Sequence, residues 1–370
     1  MKTKSSLQFR GKYHRLEYLD WVRGIGALIM LQGHVFDSYL KPELRSGGAF
    51  TFSQFIGGMP PAMFLFLTGV TLAFLMDSSE RKGIAPRERM TTALRRSGYL
   101  FGLAFAFRAF EWVAGLPVST GADFLRVDIL NCMGFSVAAL SVMAIFRTAE
   151  RARLSAVLGF AIAFLSPLIS QIDWTAVPWM VRAYLVPDHR FFGFFPWGAY
   201  LAFGVAAGSA IRLIPADGMD RAMQWTAIAA GAAILICQYL AQAPYSIYAA
   251  SDYWLNSPAQ VLTKQSVTLL MLAFAFVWTQ YIAKDGWSWV RQFGVTSLLV
   301  YWVHIELIYG RWMWFFKNNL TVAQTVVTAI GVILSMLAIS AIKTYWVQVR
   351  AMLAEMGWPS TEKSERVSGD

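Results

Sequence analysis

Long apolar stretches alternate with short polar stretches along almost the whole chain. A helix needs about 20 mainly apolar residues to cross a hydrocarbon core of about 30 Å. Applied to the 370 residues, this length predicts about ten spanning helices joined by short connections. They lie near 19–40, 53–76, 91–113, 127–146, 154–171, 194–213, 223–241, 261–282, 293–315 and 322–342.

This pattern predicts an all-α, polytopic integral membrane helix bundle. No connection is long enough to fold as a separate domain. We expect a membrane domain at residues 19–343, between a charged N-terminal tail at 1–18 and a polar C-terminal tail at 344–370. The first apolar run is too long for a cleaved signal sequence and lacks a convincing small-residue cleavage site, so we expect it to remain as an anchor.

Composition and charge support the membrane class. Hydrophobic residues make up 56% of the chain and charged residues only 15%, whereas soluble domains carry about 25% charged residues. The net charge of +10 comes from Lys and Arg concentrated in alternate connections and in the tails. By the positive-inside rule, this distribution predicts that both termini are cytoplasmic. The basic excess is therefore a topology signal, and neither a nucleic-acid partner nor a metal is expected.

Two histidines, His34 and His304, fall inside predicted spans. Ionisable side chains at membrane depth are costly and usually functional. His34 follows Asp20 by 14 residues, which is about 21 Å along a helix, and His304 lies about 16 Å beyond Phe293. With the N-terminus inside, we expect both imidazoles at similar depth, within reach of a common cavity.

Carboxylates near the two histidines suggest a general base. Asp37 lies on the same helical face as His34 because it follows by three residues, whereas Glu306 follows His304 by two. A carboxylate beside an imidazole fixes its tautomer and raises its basicity. Alternatively, Asp37 only ends the helix at the interface, although a carboxylate at a helix C-terminus opposes the macrodipole.

Further polar pairs mark the ends of two spans. Asp20 and Arg23 are three residues apart and can pair at the start of the first helix, or they can serve as a cap and a snorkelling arginine. Gly24 follows at once, so another backbone or a ligand can come close. Asp128 and Asn131 share a helical face at the start of the fourth span and point into the membrane region.

Glycines and prolines inside apolar runs indicate close helix packing. Gly204 and Gly208 form a small-xxx-small surface, and Gly69 marks a tight contact. Pro60 and Pro61 interrupt the second apolar run. We expect these positions to be architectural.

An ordered set of short motifs resembles the bacterial members of the heparan-α-glucosaminide N-acetyltransferase family. The resemblance extends over roughly residues 15–310. Its motifs are Arg15…Leu19-Asp20…Arg23-Gly24…Met30…His34, Pro61…Phe64…Phe66…Gly69, Val127-Asp128-Ile129-Leu130…Gly134, Phe195-Pro196-Trp197…Gly204 and Ser297-Leu298…Tyr301-Trp302-Val303-His304-Ile305-Glu306. The opening block is also similar to the acyltransferase-three and glucan-succinyltransferase membrane families.

The resemblance implies an acyltransferase of the bacterial inner membrane. Such proteins move an acyl group, here an acetyl group in the first place, from a cytoplasmic acyl-CoA to a sugar or other acceptor on the far side. It implies that His34 and Arg23 are the histidine and the arginine of the first helix. Bacterial relatives commonly have Asp immediately before the histidine, where this chain has Gly33. Which residue orients His34 therefore stays open.

These arguments together give the candidate site. The candidate catalytic residues are His34, Asp37 and His304. The candidate substrate- or donor-binding residues are Arg23, Asp20, Asp128, Asn131 and Glu306, with Arg95 and Arg96 as weaker candidates for the donor phosphates. Aromatic residues of the loops can stack on sugar faces or form an interface belt, and these are Trp174, Trp179, Tyr245, Tyr253 and Trp254.

Two other functions compete with acyl transfer. Within the enzyme hypothesis, His34 acts as a general base or takes the acyl group itself. The first competitor is a transporter or flippase of a glycan or lipid-linked substrate, because transporters also place ionisable residues beside broken helices. The second is a structural role, in which both histidines are only satisfied within the bundle.

Overall fold

The computed structural model describes residues 16–243, 246–283, 286–346 and 350. Within these ranges the chain is helical and contains no β-strand, which confirms the predicted all-α class. Arg15, Tyr245 and most of the two predicted tails lie outside the described residues.

Fourteen α-helices follow one another along the described part of the chain. Their bounds are α1 Glu17–Tyr39, α2 Gly47–Gly57, α3 Pro60–Arg81, α4 Pro86–Ala114, α5 Gly121–Phe124, α6 Ile129–Leu140, α7 Thr148–Gln171, α8 Trp179–Leu185, α9 Phe194–Leu213, α10 Met219–Ala241, α11 Pro258–Val277, α12 Trp289–Val295, α13 Ser297–Tyr309 and α14 Val322–Thr344. Proline begins α3, α4 and α11, at a position where its missing N–H has no helical partner to lose.

Six helical stretches among the described residues are long and apolar enough to cross a membrane. They are Gly47–Arg81, Thr148–Gln171, Phe194–Leu213, Ala216–Ala241, Pro258–Ile282 and Val322–Thr344, and Ile129–Ile145 and Ser297–Tyr309 are shorter apolar helices. The predicted class of a multi-helix membrane protein is thereby confirmed. The number of ten spans and the side of the termini remain predictions.

Two of the predicted spans are broken helices. The apolar run at 53–76 divides where α2 ends at Gly57 and α3 begins at Pro60, because two prolines remove the amides that would continue the helix. The run at 293–315 divides at Thr296, whose φ of −111° and ψ of 18° separate α12 from α13. Hydropathy alone does not register these breaks, since both halves are apolar.

A glycine seam joins α3 to α9. A Cβ on Gly204 would lie 2.0 Å from the carbonyl oxygen of Phe66, and a Cβ on Gly69 would lie 2.2 Å from that of Leu201. A Cβ on Gly208 would lie 2.8 Å from the Cα of Val70. The two backbones are therefore in direct contact, which confirms the predicted small-residue packing.

A buried ion cluster ties α3 to α4, α7 and α9. Arg212 donates to Asp77 at 2.6 Å, and Arg89 and Arg151 lie 3.4 and 3.5 Å from Glu80. Arg151 is fully buried and also donates to neighbouring oxygen atoms. Some of the basic residues that indicate topology are thus internal ion-pair partners, and removing one partner of such a pair is costly.

The glycine seam predicts a selective loss of stability. We expect Gly204→Ala to destabilise the protein by at least about 1–3 kcal/mol, because the added methyl group overlaps a backbone carbonyl. The measurement is the thermal unfolding midpoint of the purified protein in detergent.

The matched control is Gly231→Ala, in the middle of α10. A Cβ there meets nothing within 4 Å, so alanine should be neutral or stabilising through its better helix propensity. Equal unfolding midpoints for the two variants would contradict the direct backbone contact between α3 and α9.

Candidate active site

A cavity of about 740 Å³ extends along α1 from Arg23 to Asp37. These residues are 14 positions apart, or about 21 Å along the helix axis. The other walls come from α3, α4, the start of α6 and α13. This α1 cavity is therefore about two thirds as long as the hydrocarbon core of about 30 Å that α1 is predicted to cross.

The two histidines of the predicted spans are in direct contact at the wall of the α1 cavity. Nδ1 of His34 lies 2.9 Å from Nε2 of His304, and the rings stack with centroids 5.1 Å apart. His34 lines the cavity, whereas His304 is 0% exposed behind it. The two residues therefore lie at the same level of the helix bundle, and they form a pair in which only one faces the cavity.

The partners of His304 fix the tautomer of His34. Nδ1 of His304 lies 2.7 Å from the carbonyl oxygen of Val300, which can only accept, so this nitrogen carries a hydrogen. In neutral His304, Nε2 is then an acceptor, and the hydrogen between the rings belongs to Nδ1 of His34. Neutral His34 consequently holds its lone pair on Nε2. Among the described residues, no protein group hydrogen-bonds this nitrogen.

Asp37 reaches His34 only through Tyr309. The hydroxyl of Tyr309 donates to Oδ2 of Asp37 at 3.2 Å, and the edge of its ring meets the imidazole of His34 with centroids 5.3 Å apart. Both Asp37 and Tyr309 line the α1 cavity. The hydrogen-bond partner of His34 is therefore His304, and Asp37 lies one residue further away.

Arg23 lines the opposite end of the α1 cavity. Its Nη1 donates to Oδ1 of buried Asp20 at 3.0 Å, as the spacing predicts. The adjacent Gly24 is required by packing, because a Cβ there would lie 1.9 Å from the carbonyl oxygen of Val290 in α12. The predicted close approach to Gly24 is thus made by another backbone.

Asp128 and Asn131 form the cap of α6. Oδ1 of Asp128 accepts from the backbone amides of Leu130 and Asn131, and Oδ1 of Asn131 accepts from the amide of Asp128. This capping box satisfies amides that a helix start leaves without partners. Asp128 also lines the α1 cavity and has a buried Oδ2 without a described partner, whereas the amide of Asn131 donates to Tyr184.

Glu306 lies beside Glu111, a carboxyl group outside the predicted site. Glu111 lines the α1 cavity near the end of α4, and the two side chains are close enough to interact. One buried carboxyl oxygen of each residue has no described hydrogen-bond partner. Glu111 and Arg108 lie inside the predicted span at 91–113, so the cost of charge at membrane depth is the signal that identifies them.

The eight predicted site residues fall into two sets of four. Those that line the α1 cavity are Arg23, His34, Asp37 and Asp128. Those behind its wall are Asp20, His304, Asn131 and Glu306. The first three each hydrogen-bond a residue of the lining, and Glu306 lies beside Glu111 of the lining. The described loop aromatics do not belong to the lining, namely Trp174, Trp179, Tyr253 and Trp254.

The fold and the site define a multi-helix membrane protein whose cavity is lined by apolar and charged side chains and by the imidazole of His34. The family model described as heparan-alpha-glucosaminide N-acetyltransferase, catalytic, matches residues 15–253. Because this match covers more than half of the chain, the chain belongs to this acyltransferase-like membrane family. His34, Glu111 and Asp128 lie within the matched segment, and His304 lies beyond it. A search of curated proteins found no match.

The histidine pair predicts graded effects at His304. We expect His304→Leu to lower the rate of acetyl transfer at least about 10-fold, because His34 loses the acceptor that fixes its tautomer. His304→Gln should retain more activity, since an amide oxygen can still accept from Nδ1 of His34.

Initial rates at saturating substrate test this order, with the amount of folded protein matched by size-exclusion chromatography. Equal losses in the two variants would contradict the tautomer argument.

Proposed function

We propose that the protein transfers an acyl group, most simply acetyl, from a cytoplasmic acyl-CoA to an extracytoplasmic sugar or other hydroxyl or amine acceptor. The observation that carries this proposal is the Nε2 atom of His34. It belongs to a neutral imidazole at the wall of a cavity about 21 Å long. Family membership supports the acetyltransferase-like chemistry.

Nε2 of His34 supplies the base for the transfer step. It takes the proton of the acceptor hydroxyl or amine as that oxygen or nitrogen attacks the thioester carbonyl carbon. The carbon–sulfur bond then breaks, and the imidazolium returns the proton to the departing thiolate. His304 supports the positive charge on His34 because its Nε2 accepts from Nδ1 throughout.

The same nitrogen also serves the two-step variant of the reaction. There, Nε2 of His34 attacks the thioester carbonyl carbon and the carbon–sulfur bond breaks. The proton of Nδ1 balances the departing thiolate, which leaves as free CoA, and the acyl-imidazole then passes its acyl group to the acceptor and regains a proton from it. Both routes require the lone pair on Nε2, so the tautomer set by His304 supports either one. Kinetics distinguish them, because only the two-step route releases free CoA in a burst before the acceptor reacts.

Arginines at the Arg23 end of the α1 cavity support donor binding there. Arg108, Arg126 and Arg190 also line the cavity, but Arg108 and Arg126 lie near the carboxyl groups of Glu111 and Asp128. Arg96 lines the same end as Arg23, and Arg95 and Arg96 line an adjoining pocket that shares Thr68, Thr71 and Tyr99 with the α1 cavity. Guanidinium groups bind phosphates through charge-assisted hydrogen bonds. With the N-terminus inside, this is the cytoplasmic end, where acyl-CoA is available.

Carboxyl groups at the other end support acceptor binding. Glu111 and Asp128 line this part of the cavity, and Glu306 lies behind Glu111. Each of the three has a buried carboxyl oxygen without a described partner. Because hydroxyl and amine groups are hydrogen-bond donors, the acceptor can satisfy these oxygen atoms while it approaches His34.

Transfer activity is tested directly with acetyl-CoA. Purified protein in detergent should release free CoA in the presence of a panel of sugar and amine acceptors. His34→Ala should lower the rate about 10²–10⁴-fold, because the general base is removed.

His189→Ala is the matched histidine control. His189 lies in a loop, paired with Asp252 at 3.1 Å and largely exposed, so its replacement should leave the rate unchanged. If acetyl-CoA is never consumed but a labelled glycan crosses proteoliposomes, transport is the better explanation.

The two ends of the cavity predict opposite kinetic defects. Arg96→Gln should raise the KM for acetyl-CoA about 10-fold with little change for the acceptor, since it removes one charge-assisted contact to phosphate. Glu111→Gln should raise the KM for the acceptor and leave that for acetyl-CoA unchanged. Steady-state kinetics with each substrate varied in turn would reveal a reversed or uniform pattern, which the proposed orientation does not allow.

A further inference from the structure

Lys264 carries a buried positive charge that the proposed reaction does not use. It lies on α11 with 7% of its surface exposed. Among the described residues, no carboxylate pairs with its ammonium group and no hydrogen bond to it is found. The indole of Trp197 covers one side, with Nζ 5.6 Å from the ring centroid. A lysine at this depth is costly unless something compensates the charge.

The ammonium of Lys264 lies beside the break between α2 and α3. A Cβ placed on Gly58 would be 3.4 Å from Nζ of Lys264, 3.2 Å from the carbonyl oxygen of Gln54 and 3.6 Å from that of Phe55. The ammonium and two of the last carbonyls of α2 therefore surround one small volume at the end of the helix.

The C-terminal carbonyl groups of α2 carry partial negative charge and lack intrahelical hydrogen-bond donors. The last carbonyls of a helix have no intrahelical amide, and the macrodipole places about half a negative charge there. The amide of Gly58 donates to Gln54 and that of Met59 donates to Ile56, so neither amide serves the carbonyl of Phe55. Pro60 and Pro61 offer no amides either. The ammonium of Lys264 is the positive group that lies beside this helix end.

The end of α2 also touches the helix that carries His34. A Cβ on Gly33 would lie 2.9 Å from the Cα of Gly57, so the two backbones are in contact one residue before His34. Gly57, Pro60 and Pro61 line the α1 cavity together with His34. The position of the α2–α3 break therefore sets the cavity wall next to the histidine.

We propose that Lys264 is a positioning residue, whose ammonium group holds the C-terminal end of α2 against α1 and thereby fixes the cavity wall beside His34. The effect on transfer rests on the proposed function. The effect on the α2–α3 break does not, so the two are tested separately.

Amide hydrogen exchange of the full-length protein in lipid nanodiscs tests the structural part. In Lys264→Met, the amides of Gly58 and Met59 should exchange at least 10-fold faster than in the parent, and Lys264→Arg should restore slow exchange. The matched control is Gln265→Met. Gln265 is the next residue, equally buried, and its amide group has no described partner.

Kinetics test the consequence for the reaction. Lys264→Met should lower kcat for acetyl transfer about 10-fold or more, because a small displacement of the groups around a reacting atom lowers the rate strongly. The KM for acetyl-CoA should stay within twofold, since the basic residues proposed for the donor lie at the other end of the cavity. Lys264→Arg should recover most of kcat, and Gln265→Met should resemble the parent.

Exchange at Gly58 and Met59 that is unchanged in Lys264→Met, or accelerated equally by Gln265→Met, would overturn the proposal. If the parent transfers no acetyl group, the proposed function fails while the exchange result still decides the role of Lys264. If Lys264→Met does not fold, Lys264→Gln takes its place, because it also removes the charge but keeps a polar group.

Discussion

The hydrogen bond between Nδ1 of His34 and Nε2 of His304 is the interaction on which the rest of the site depends. The donor in this bond is fixed as His34 because Nδ1–H of His304 already donates to the carbonyl oxygen of Val300. Three groups from two helices thus determine which nitrogen of His34 can accept a proton. The geometry requires α1 and the α12–α13 segment to lie in backbone contact, and Gly24 and Gly294 allow it: a Cβ on either would lie 1.9 Å from a carbonyl oxygen of the opposite segment.

Water is scarce at membrane depth, so the polar side chains there need partners within the protein. Asp20, His304 and Asn131 lie behind the cavity wall, and each hydrogen-bonds a residue that lines it. These bonds hold the lining residues in place. The exceptions are informative. The unpartnered oxygen atoms of Glu111, Asp128 and Glu306 and the Nε2 of His34 are groups with remaining hydrogen-bonding capacity, and they face or adjoin the same cavity. An acceptor substrate can supply the hydrogen-bond partners that these atoms lack.

Sequence reasoning predicted much of the fold because apolar length and periodicity are local properties. The runs at 19–40, 194–213 and 322–342 correspond closely to α1, α9 and α14. Apolar length alone did not divide the runs at 53–76 and 293–315. Pro60 and Pro61 are a local signal for the first break, whereas the residues around Thr296 carry no comparable signal for the second. For the site, the cost of ionisable groups identified His34 and His304. It did not single out Tyr309, because aromatic residues are common at membrane interfaces. Glu111 was also missed, although its charge inside the apolar run at 91–113 is the same kind of signal.

The sequence by itself determined that this is an all-α membrane protein with rare ionisable residues at membrane depth, and its ordered motifs indicated the acyltransferase-like family. Those properties follow from residue types and their spacing. Only the tertiary structure decided which of these residues meet. It paired His34 with His304 rather than with Asp37, used Asp128 and Asn131 as a helix cap, and placed Lys264 at the end of α2. Hydrogen bonds are short and directional, and partners more than 200 residues apart are brought into range only by helix packing.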